Sequence, residues 1–279
     1  MSKKRKVTIV VENRAGENGI VPEHGICLWI ETGDSKVIFD TGQGGVLLNN
    51  ASVLGIPLDK VGHVVLSHGH YDHTGGLKAL LPESGNPKVY AHSAAFRPKF
   101  ACNLYGQGNS IGMPSSSLKS IQTHAGEVVF TERPTQITEG LFVTGEIPRV
   151  TDFEDTGGPF FLDDRCTEPD PFPDDQALFF DTSEGTVVLV GCAHAGIVNT
   201  LLYIRQLTQG KPIHAVLGGM HLLSASPVRM ERTIEFLNRL DPDILCPGHC
   251  TGNSAMAELW EAFPRKFIPC YAGRSFKFN

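Results

Sequence analysis

One short segment limits what this chain can fold into more than any other, residues 67–77 with the sequence SHGHYDHTGGL. It places three imidazoles and one carboxylate within six residues, directly after a short apolar run. Residues i and i+2 of an extended backbone point to the same side, so His68 and His70 can both reach one metal ion. Asp72 and His73 are adjacent and point apart, so after a turn they can supply a second position. Because chance enrichment in a solvated loop explains this spacing poorly, the segment predicts a metal centre at a strand end.

Three histidines later in the chain also follow apolar runs: His194, His221 and His249. Loops that leave a rigid scaffold at one edge bring such side chains together, so we expect these residues near the first cluster. The predicted ligands are His68, His70 and His194 for one ion and Asp72, His73 and His249 for a second ion. The sequence leaves open how these six residues divide between the two ions. His221 has an alternative role, in which it supports a ligand or binds substrate. Asp72 and His221 are the predicted catalytic residues.

The overall composition excludes several classes of protein. The chain has 279 residues, 41% of them apolar, so it can bury a sizeable core. Its formal net charge is −6, whereas nonspecific nucleic-acid binding needs a basic surface. The basic segment 3–6 precedes an apolar run too short for a signal peptide, and no stretch reaches the length of a membrane span. We therefore expect no nucleic-acid partner, no membrane partner and a cytoplasmic location, and the sequence leaves the oligomeric state open.

The cysteines form no recognisable framework. Seven are present, an odd number with irregular spacing, and no export signal precedes them. The expectation is therefore that all remain reduced thiols. A structural zinc site at Cys246 and Cys250 is disfavoured because no partner Cys-x-x-Cys accompanies them.

Strand and helix patterns favour an α/β fold. Meandering strands open each half of the chain and strand–helix alternation follows, which suits sheets between helical layers. We expect one domain over residues 1–279, with loop-rich inserts near 93–123 and 148–175 that carry specificity or are variable surface. Short β-branched runs predict strands at 7–11, 27–30, 36–39, 64–66, 89–91, 126–130, 141–144, 177–181, 186–190, 215–217 and 244–246. Helices are predicted at 46–54, 74–81, 197–207, 227–240 and 254–262.

The segment 67–77 resembles the first motif of the metallo-β-lactamase superfamily, and the likeness runs from about residue 7 to the C-terminus. Stretches similar to the branch of 7,8-dihydropterin-6-yl-methyl-4-(β-D-ribofuranosyl)aminobenzene 5'-phosphate synthases lie at 23–25, 39–42, 191–199, 218–222 and 247–252. The resemblance implies a four-layer αββα sandwich with two divalent metal ions at one edge between the sheets. Zinc is the expected metal, with Mn²⁺ or Fe²⁺ as alternatives.

Two departures from the family pattern leave the bridging ligand open. The family often has a bridging aspartate where this chain has Cys192, and residues 144–147 replace the usual Gly-His of a third motif. His194 can stand in for the missing histidine, with Glu146 or Cys192 as a supplement. A buried structural role for Cys192, behind the ligands, is equally compatible. Asp40 is expected to orient a ligand imidazole, as carboxylates behind metal-bound histidines do.

The resemblance implies an enzyme, and two reactions are open. A metal-bridging hydroxide can hydrolyse a phosphoester, ester or lactone. The branch instead joins a dihydropterin pyrophosphate to an arylamine ribosyl phosphate and expels pyrophosphate. Both readings predict a small-molecule substrate, phosphorylated and of pterin type in the second. A third alternative is a non-catalytic protein that binds a metal or ligand, and redox chemistry is disfavoured because diiron relatives carry Glu at the position of His70.

Substrate contacts are predicted on the basis of charge and position. The predicted substrate-binding residues are His24, Glu146, Arg149 and His221. Basic residues in or beside the inserts are candidates for gripping phosphate, with ordinary surface charge as the alternative: Arg97, Lys99, Arg149 and Arg165. Aromatic residues there are candidates for stacking on a pterin, with core or lid packing as the alternative: Phe96, Phe153, Phe160 and Phe161.

Overall fold

The computed structural model describes residues 4–16 and 18–279 of the chain. Residue 3 of the basic segment 3–6 therefore lies outside the described residues. The strands are β1 Arg5–Val11, β2 Cys27–Thr32, β3 Ser35–Phe39, β4 His63–Val65, β5 Lys88–Ala91, β6 Phe100–Cys102, β7 Gly108–Ser110, β8 Glu127–Phe130, β9 Thr135–Thr138, β10 Leu141–Val143, β11 Phe160–Phe161, β12 Ala177–Asp181, β13 Thr186–Val190, β14 Ile213–Gly219, β15 Ile244–Gly248 and β16 Ser275–Phe278.

The helices are α1 Leu47–Val53, α2 Tyr71–Thr74, α3 Leu77–Glu83, α4 Ser115–His124, α5 Ile197–Leu207, α6 Pro227–Leu240 and α7 Asn253–Ala262. Short 3₁₀ turns lie at Leu58–Lys60, Ser93–Phe96 and His249–Thr251. Within the described ranges, none of these helices combines the length and the apolar character needed to cross a membrane.

The first sheet has seven strands in the order β16-β1-β2-β3-β4-β5-β8. Its first half is an antiparallel meander, in which Val7 pairs with Ile30 and Ile30 pairs with Val37. From β3 onward the neighbouring strands β4, β5 and β8 are parallel. Parallel strands are normally covered on both faces, and the last two residues of β4 are buried. The segment 67–77 therefore begins at the carboxyl end of a buried strand.

The second sheet has six strands in the order β15-β14-β13-β12-β10-β9. Its strands β13, β14 and β15 are parallel, with Leu189 opposite Leu217 and Leu217 opposite Cys246. Every residue of β13 and β14 is buried, which explains why their sequences are apolar apart from Thr186 and His214. Because the three strands run in register, they end side by side, and a histidine-bearing loop follows each of them.

The two sheets face each other across an apolar core, to which Ile9 and Leu28 contribute from one side and Leu189 and Leu217 from the other. Helices α1, α3 and α4 cover the outer face of the first sheet. Helices α5, α6 and α7 cover the outer face of the second sheet. This arrangement is the four-layer αββα sandwich implied by the family resemblance, so the predicted fold class is confirmed.

The helix predicted at 74–81 is instead two helices, α2 and α3. Gly75 and Gly76 lie between them, and a Cβ atom on Gly76 would stand 2.0 Å from the carbonyl oxygen of Thr41. The backbone after α2 thus packs directly against the turn that follows β3. This close approach brings the histidine-rich segment against Asp40.

The segments 93–123 and 148–175 contain more regular structure than the sequence suggested. The segment 93–123 includes most of α4. Its strands β6 and β7 form a three-stranded sheet with β11, which belongs to the segment 148–175. A disulfide joins Cys102 at the end of β6 to Cys166, five residues after β11, and their Cα atoms lie 6.0 Å apart. The expectation that all cysteines are reduced thiols is therefore wrong for this pair.

The packing between the sheets predicts which leucines stabilise the fold. Leu217 has 0% exposure between the sheets, whereas Leu104 is fully exposed. We expect Leu217→Ala to lower the free energy of unfolding by about 2–5 kcal/mol, because it removes buried methyl groups and leaves a cavity. Leu104→Ala, the matched control, should change it by less than about 0.5 kcal/mol. Urea unfolding followed by circular dichroism measures both, and equal effects would contradict the assigned core.

Candidate metal centre

The cluster is assembled by chain segments that leave the carboxyl ends of parallel strands. The segment after β4 supplies His68, His70, Asp72 and His73. The loops after β13 and β15 supply His194 and His249 from the facing sheet. A Cβ atom on Gly191 would lie 2.1 Å from Ser67 Oγ, so only glycine lets the two sheets approach this closely. Residues distant in sequence therefore converge at one edge between the sheets.

The first half of the cluster consists of three imidazoles, those of His68, His70 and His194. Their ring centroids lie 4.5–4.9 Å apart. All three Nε2 atoms are buried and lack a hydrogen-bond partner within the described chain. Two of the rings are fixed through Nδ1, which lies 2.9 Å from Ser67 Oγ for His68 and 2.9 Å from the Thr156 carbonyl oxygen for His194. Three neighbouring rings thus each bury a nitrogen that no group of the described residues satisfies.

The second half of the cluster consists of Asp72, His73 and His249. Nε2 of His249 lies 3.2 Å from Nε2 of His73 and 3.3 Å from Oδ2 of Asp72. The third separation, between His73 Nε2 and Asp72 Oδ2, is 3.7 Å. The His249 ring is also fixed through its other nitrogen, since Nδ1 lies 3.1 Å from Asn13 Oδ1. The structure therefore brings together the six residues predicted as ligands, in two neighbouring groups of three.

Cys192 lies between the two groups. Its Sγ is 3.1 Å from His73 Nε2. Ligand atoms of His68, Cys192 and His194 lie within 4.8 Å of one another, and so do those of His73, Cys192 and His249. The thiol thus occupies a position from which it can reach either group. A sulfur placed here can serve in place of the bridging carboxylate that the family pattern would have at this loop.

Burial sets the charge of the first group. Desolvation lowers the pKa values of His68, His70 and His194 well below the usual range, so these imidazoles are neutral and offer lone pairs. In the second group, burial opposes ionisation of Asp72, but His73, His24 and His249 together outweigh burial and hold the carboxyl pKa well below its usual value. Neutral imidazoles beside an ionised carboxylate are the protonation states that a divalent metal ion requires.

Asp40 locks two ligand rings from behind. It is fully buried, and its Oδ2 accepts hydrogen bonds from Ser67 Oγ at 2.6 Å and from His73 Nδ1 at 2.6 Å. Ser67 Oγ in turn contacts His68 Nδ1. Burial lowers the pKa of His73, but Asp72 and Asp40 more than compensate and raise it to about 9. In a metal-bound protein, a cation at Nε2 would take the place of that proton. Asp40 thus holds the position behind the ligands predicted from sequence.

The donor set fits a metal. Buried nitrogens without partners are rare because each costs about 1–3 kcal/mol, and three of them on neighbouring rings point to an ion as their missing partner. Imidazole, carboxylate and thiolate donors suit Zn²⁺, and the nitrogen and oxygen donors also suit Mn²⁺ or Fe²⁺.

Two supporting residues escaped the sequence analysis, Glu12 and Asn13, which directly follow β1. Oε1 of the buried Glu12 accepts a hydrogen bond from the His249 backbone N–H at 2.6 Å. Asn13 Oδ1 accepts from Gly25 N at 3.1 Å and faces His249 Nδ1 at the same distance. His249 has a positive φ of 49°, a backbone conformation that needs such support. The available signal was a polar pair directly after an apolar strand.

A buried ionic network supports the other group. Lys99 Nζ contacts Asp170 at 2.7 Å and Asp174 at 2.8 Å. Asp174 Oδ2 accepts the Gly69 backbone N–H at 2.8 Å, between the first two histidines. Lys99 is 1% exposed, so the suggestion that it grips a substrate phosphate is wrong. Its charge instead anchors the carboxylate that holds the backbone of the histidine-rich segment.

The cluster opens into a cavity of about 760 Å³. His24 and His221 line it, as predicted for substrate contacts. His24 Nε2 lies 3.1 Å from Asp72 Oδ2 at the rim, and the His221 ring centroid lies 4.2 Å from that of His194. Neither Glu146 nor Arg149 is among the described residues that line this cavity. Both are exposed elsewhere, so their predicted contact with a substrate in this cavity finds no support in the structure.

Of the remaining aromatic and basic residues predicted to contact substrate, one lines the cavity and the others lie elsewhere. Phe160 lines the cavity, with its ring centroid 5.2 Å from that of His194. Phe96 packs against Phe130, and Phe153 packs with the core under α5 and α6. Arg97 and Arg165 are exposed and, like Phe161, are not among the described residues that line the cavity.

Comparisons with known proteins agree with this geometry. The sequence profile of the metallo-beta-lactamase superfamily matches residues 21–249. The 7,8-dihydropterin-6-methyl-4-(beta-D-ribofuranosyl)-aminobenzene-5'-phosphate synthase of Methanocaldococcus jannaschii is 30% identical, over 98% of this chain and 96% of the relative. An uncharacterised protein of the same archaeon is 32% identical, over 91% and 93%. The crystal structure of Tm1679, described as a metal-dependent hydrolase of the β-lactamase superfamily, superposes with a TM-score of 0.81 at 31% identity, covering 98% of both chains.

The two groups predict two bound ions per chain. We expect His194→Ala to lose one ion, because it removes one of the three facing imidazoles, and to retain the second. His124→Ala, at the end of α4 and outside the cluster, is the matched control and should keep both. Elemental analysis after dialysis against zinc measures the ratio. An unchanged ratio in His194→Ala, or a metal-free native protein that takes up no ion, would sink this assignment.

The contacts of Glu12 predict that its substitution affects the binding of one ion only. We expect Glu12→Gln to weaken binding of one ion by about 10–100-fold, because an amide presents only one acceptor oxygen to the two backbone N–H groups of Arg14 and His249. Competition with a chromogenic chelator measures the affinity. Glu258→Gln, on the exposed side of α7, should leave it unchanged. Identical affinities in both variants would show that Glu12 does not position His249.

Proposed function

This chain belongs to the metallo-β-lactamase superfamily, as its sequence motifs indicated, and we propose that it is a metal-dependent enzyme acting on a phosphorylated, pterin-type small molecule. In the proposed reaction an arylamine displaces pyrophosphate from a dihydropterin, and the 30% identity with the Methanocaldococcus jannaschii protein named as a dihydropterin-ribofuranosylaminobenzene phosphate synthase supports it. The observation that carries the proposal is the pair of neighbouring donor groups on the floor of one cavity.

Two divalent ions are proposed for this floor. His68, His70 and His194 would hold one, and Asp72, His73 and His249 the other, with Cys192 within reach of both. When bound, such ions neutralise the charge that develops on a departing phosphate and lower the pKa of a bound water. The protein supports them with ring-fixing hydrogen bonds behind the ligands, from Ser67, Asp40 and Asn13.

The cavity walls supply what the proposed transfer needs from the protein. Phe160 presents an aromatic face beside His70 and His194, on which a flat ring can stack. His221 lies next to these rings and is proposed to bind substrate and hold a proton that the reaction displaces. His24 holds the rim carboxylate Asp72 from the solvent side, at 3.1 Å. In the transfer, a new C–N bond forms, the C–O bond to pyrophosphate breaks, and the amine gives up one proton.

Hydrolysis is the second candidate. It is favoured by the overall superposition with Tm1679, which is described as a hydrolase. In this reaction water would take the place of the amine at the same floor. On a dihydropterin pyrophosphate the two candidates differ in the nucleophile, so a single assay with this substrate separates them.

The deciding experiment follows pyrophosphate release from dihydropterin pyrophosphate by the zinc-loaded protein, with and without the arylamine ribosyl phosphate. We expect release that depends on the amine and stops when a chelator removes the metal. Release without the amine would support the hydrolase instead. No release in either case, from protein carrying its full metal content, would overturn both candidates.

His221 gives a matched test within the same assay. We expect His221→Gln to lower kcat by about 10²–10⁴-fold while the bound metal stays at the wild-type level, because it would remove a group that handles a proton. His124→Gln is the control, since this residue lies at the end of α4, outside the cluster. Loss of metal in His221→Gln would mean that the residue is a ligand rather than a substrate-facing group.

A further inference from the structure

The charges around the cavity are uneven. Among the described residues that line it, Arg14 is the only arginine or lysine. The carboxylates of Glu12 and Asp72 are already engaged, Glu12 with two backbone N–H groups and Asp72 with His24 and His249. An anionic group that enters this cavity away from the proposed metal ligands therefore meets one cationic side chain.

A carboxylate holds the backbone of Arg14, and a neutral amide holds its guanidinium. Its backbone N–H donates to Glu12 Oε2 at 2.7 Å, and Nη2 of its guanidinium donates to Asn253 Oδ1 at 2.5 Å. The side chain is exposed, and in the described part of the chain it forms no ion pair with a carboxylate. The positive charge of the guanidinium and its remaining N–H donors are therefore available to a ligand.

The position of Arg14 relative to the cluster follows from its neighbours. Asn13 contacts the ring and the carbonyl oxygen of His249. Asn253, which anchors the guanidinium, lies just beyond the turn that carries His249. Arg14 is therefore on the side of the cavity next to Asp72, His73 and His249.

The other side of the cavity is aromatic. The Phe160 ring centroid lies 5.4 Å from that of His70 and 5.8 Å from that of His221. Pro159 and Ile111 extend this apolar wall. The imidazole cluster thus lies between an aromatic wall and a cationic end. Such a cavity fits a substrate with a flat ring at one end and an anion at the other.

We propose that Arg14 binds a phosphate group of the substrate that is remote from the reacting bond. The inference rests on the proposed function, where this group is the 5'-phosphate of the arylamine riboside. A guanidinium suits this task because its parallel N–H groups match two phosphate oxygens at once. Asn253 positions the guanidinium, while the aromatic wall receives the pterin ring.

The test compares binding of two ligand pairs to zinc-loaded protein by isothermal titration calorimetry. One pair is the arylamine riboside with and without its 5'-phosphate, and the other is ribose 5-phosphate and ribose. We expect the wild type to favour the phosphorylated member by about 10–100-fold, the range for a hydrogen-bonded charge. Arg14→Gln should reduce this preference to below about 3-fold, and Arg14→Lys should retain part of it. Arg239→Gln, on the exposed face of α6, is the matched charge control and should behave as wild type.

The outcomes separate this inference from the proposed reaction. A wild-type protein that binds both members of each pair equally, or an Arg14→Gln variant that keeps the preference, would overturn the role of Arg14. Metal content equal to wild type in Arg14→Gln shows that the variant is folded with its centre intact. Absent pyrophosphate release together with an Arg14-dependent phosphate preference would refute the reaction and leave the phosphate site standing.

Discussion

The structure depends on buried imidazole nitrogens that have no partner among the described residues. His68, His70 and His194 each bury Nε2 with no hydrogen bond from the described chain. A buried group of this kind costs about 1–3 kcal/mol, so the fold tolerates three of them together only if something else satisfies them. A bound metal ion would do so, and a ligand that binds only the folded state also stabilises it, by about 2.7 kcal/mol at a hundred times its dissociation constant. The proposed metal centre would thus couple stability to function at one edge of the sandwich.

Around this edge, the supporting contacts come from elements far apart in sequence. Asp40 after β3 holds His73, and Asp174 holds the backbone at Gly69. Glu12 after β1 holds the backbone of His249. Most of these supports are buried carboxylates that accept N–H groups, which fixes the ligand geometry before any ion arrives. Such support narrows the orientations of the ligands, and this is how an outer layer of residues tunes a metal centre.

Some parts of the fold and site could be predicted because their signals are local. The strands β12 and β13 and the helices α5 and α6 follow their predicted bounds, since periodicity and flanking turn residues act over a few positions. The short strands β9 and β16 have four residues each and gave no usable pattern. Lys99 looked like a surface cation in a loop-rich insert, yet two aspartates about seventy residues away bury it. The residues next to Lys99 in the sequence give no indication that it pairs with aspartates so far along the chain.

The sequence by itself determined the type of chemistry, because the spacing in residues 67–77 fixes which donors can face one ion. It also determined the family and with it the sandwich. Tertiary structure alone decided which residues surround the centre. It brought Glu12, Asn13 and Arg14 beside His249, placed Cys192 between the two donor groups, and left Glu146 and Arg149 outside the cavity. The reason is physical. The ligand spacing is a property of one continuous stretch of backbone, whereas a cavity wall forms only when the ends of separate strands pack together.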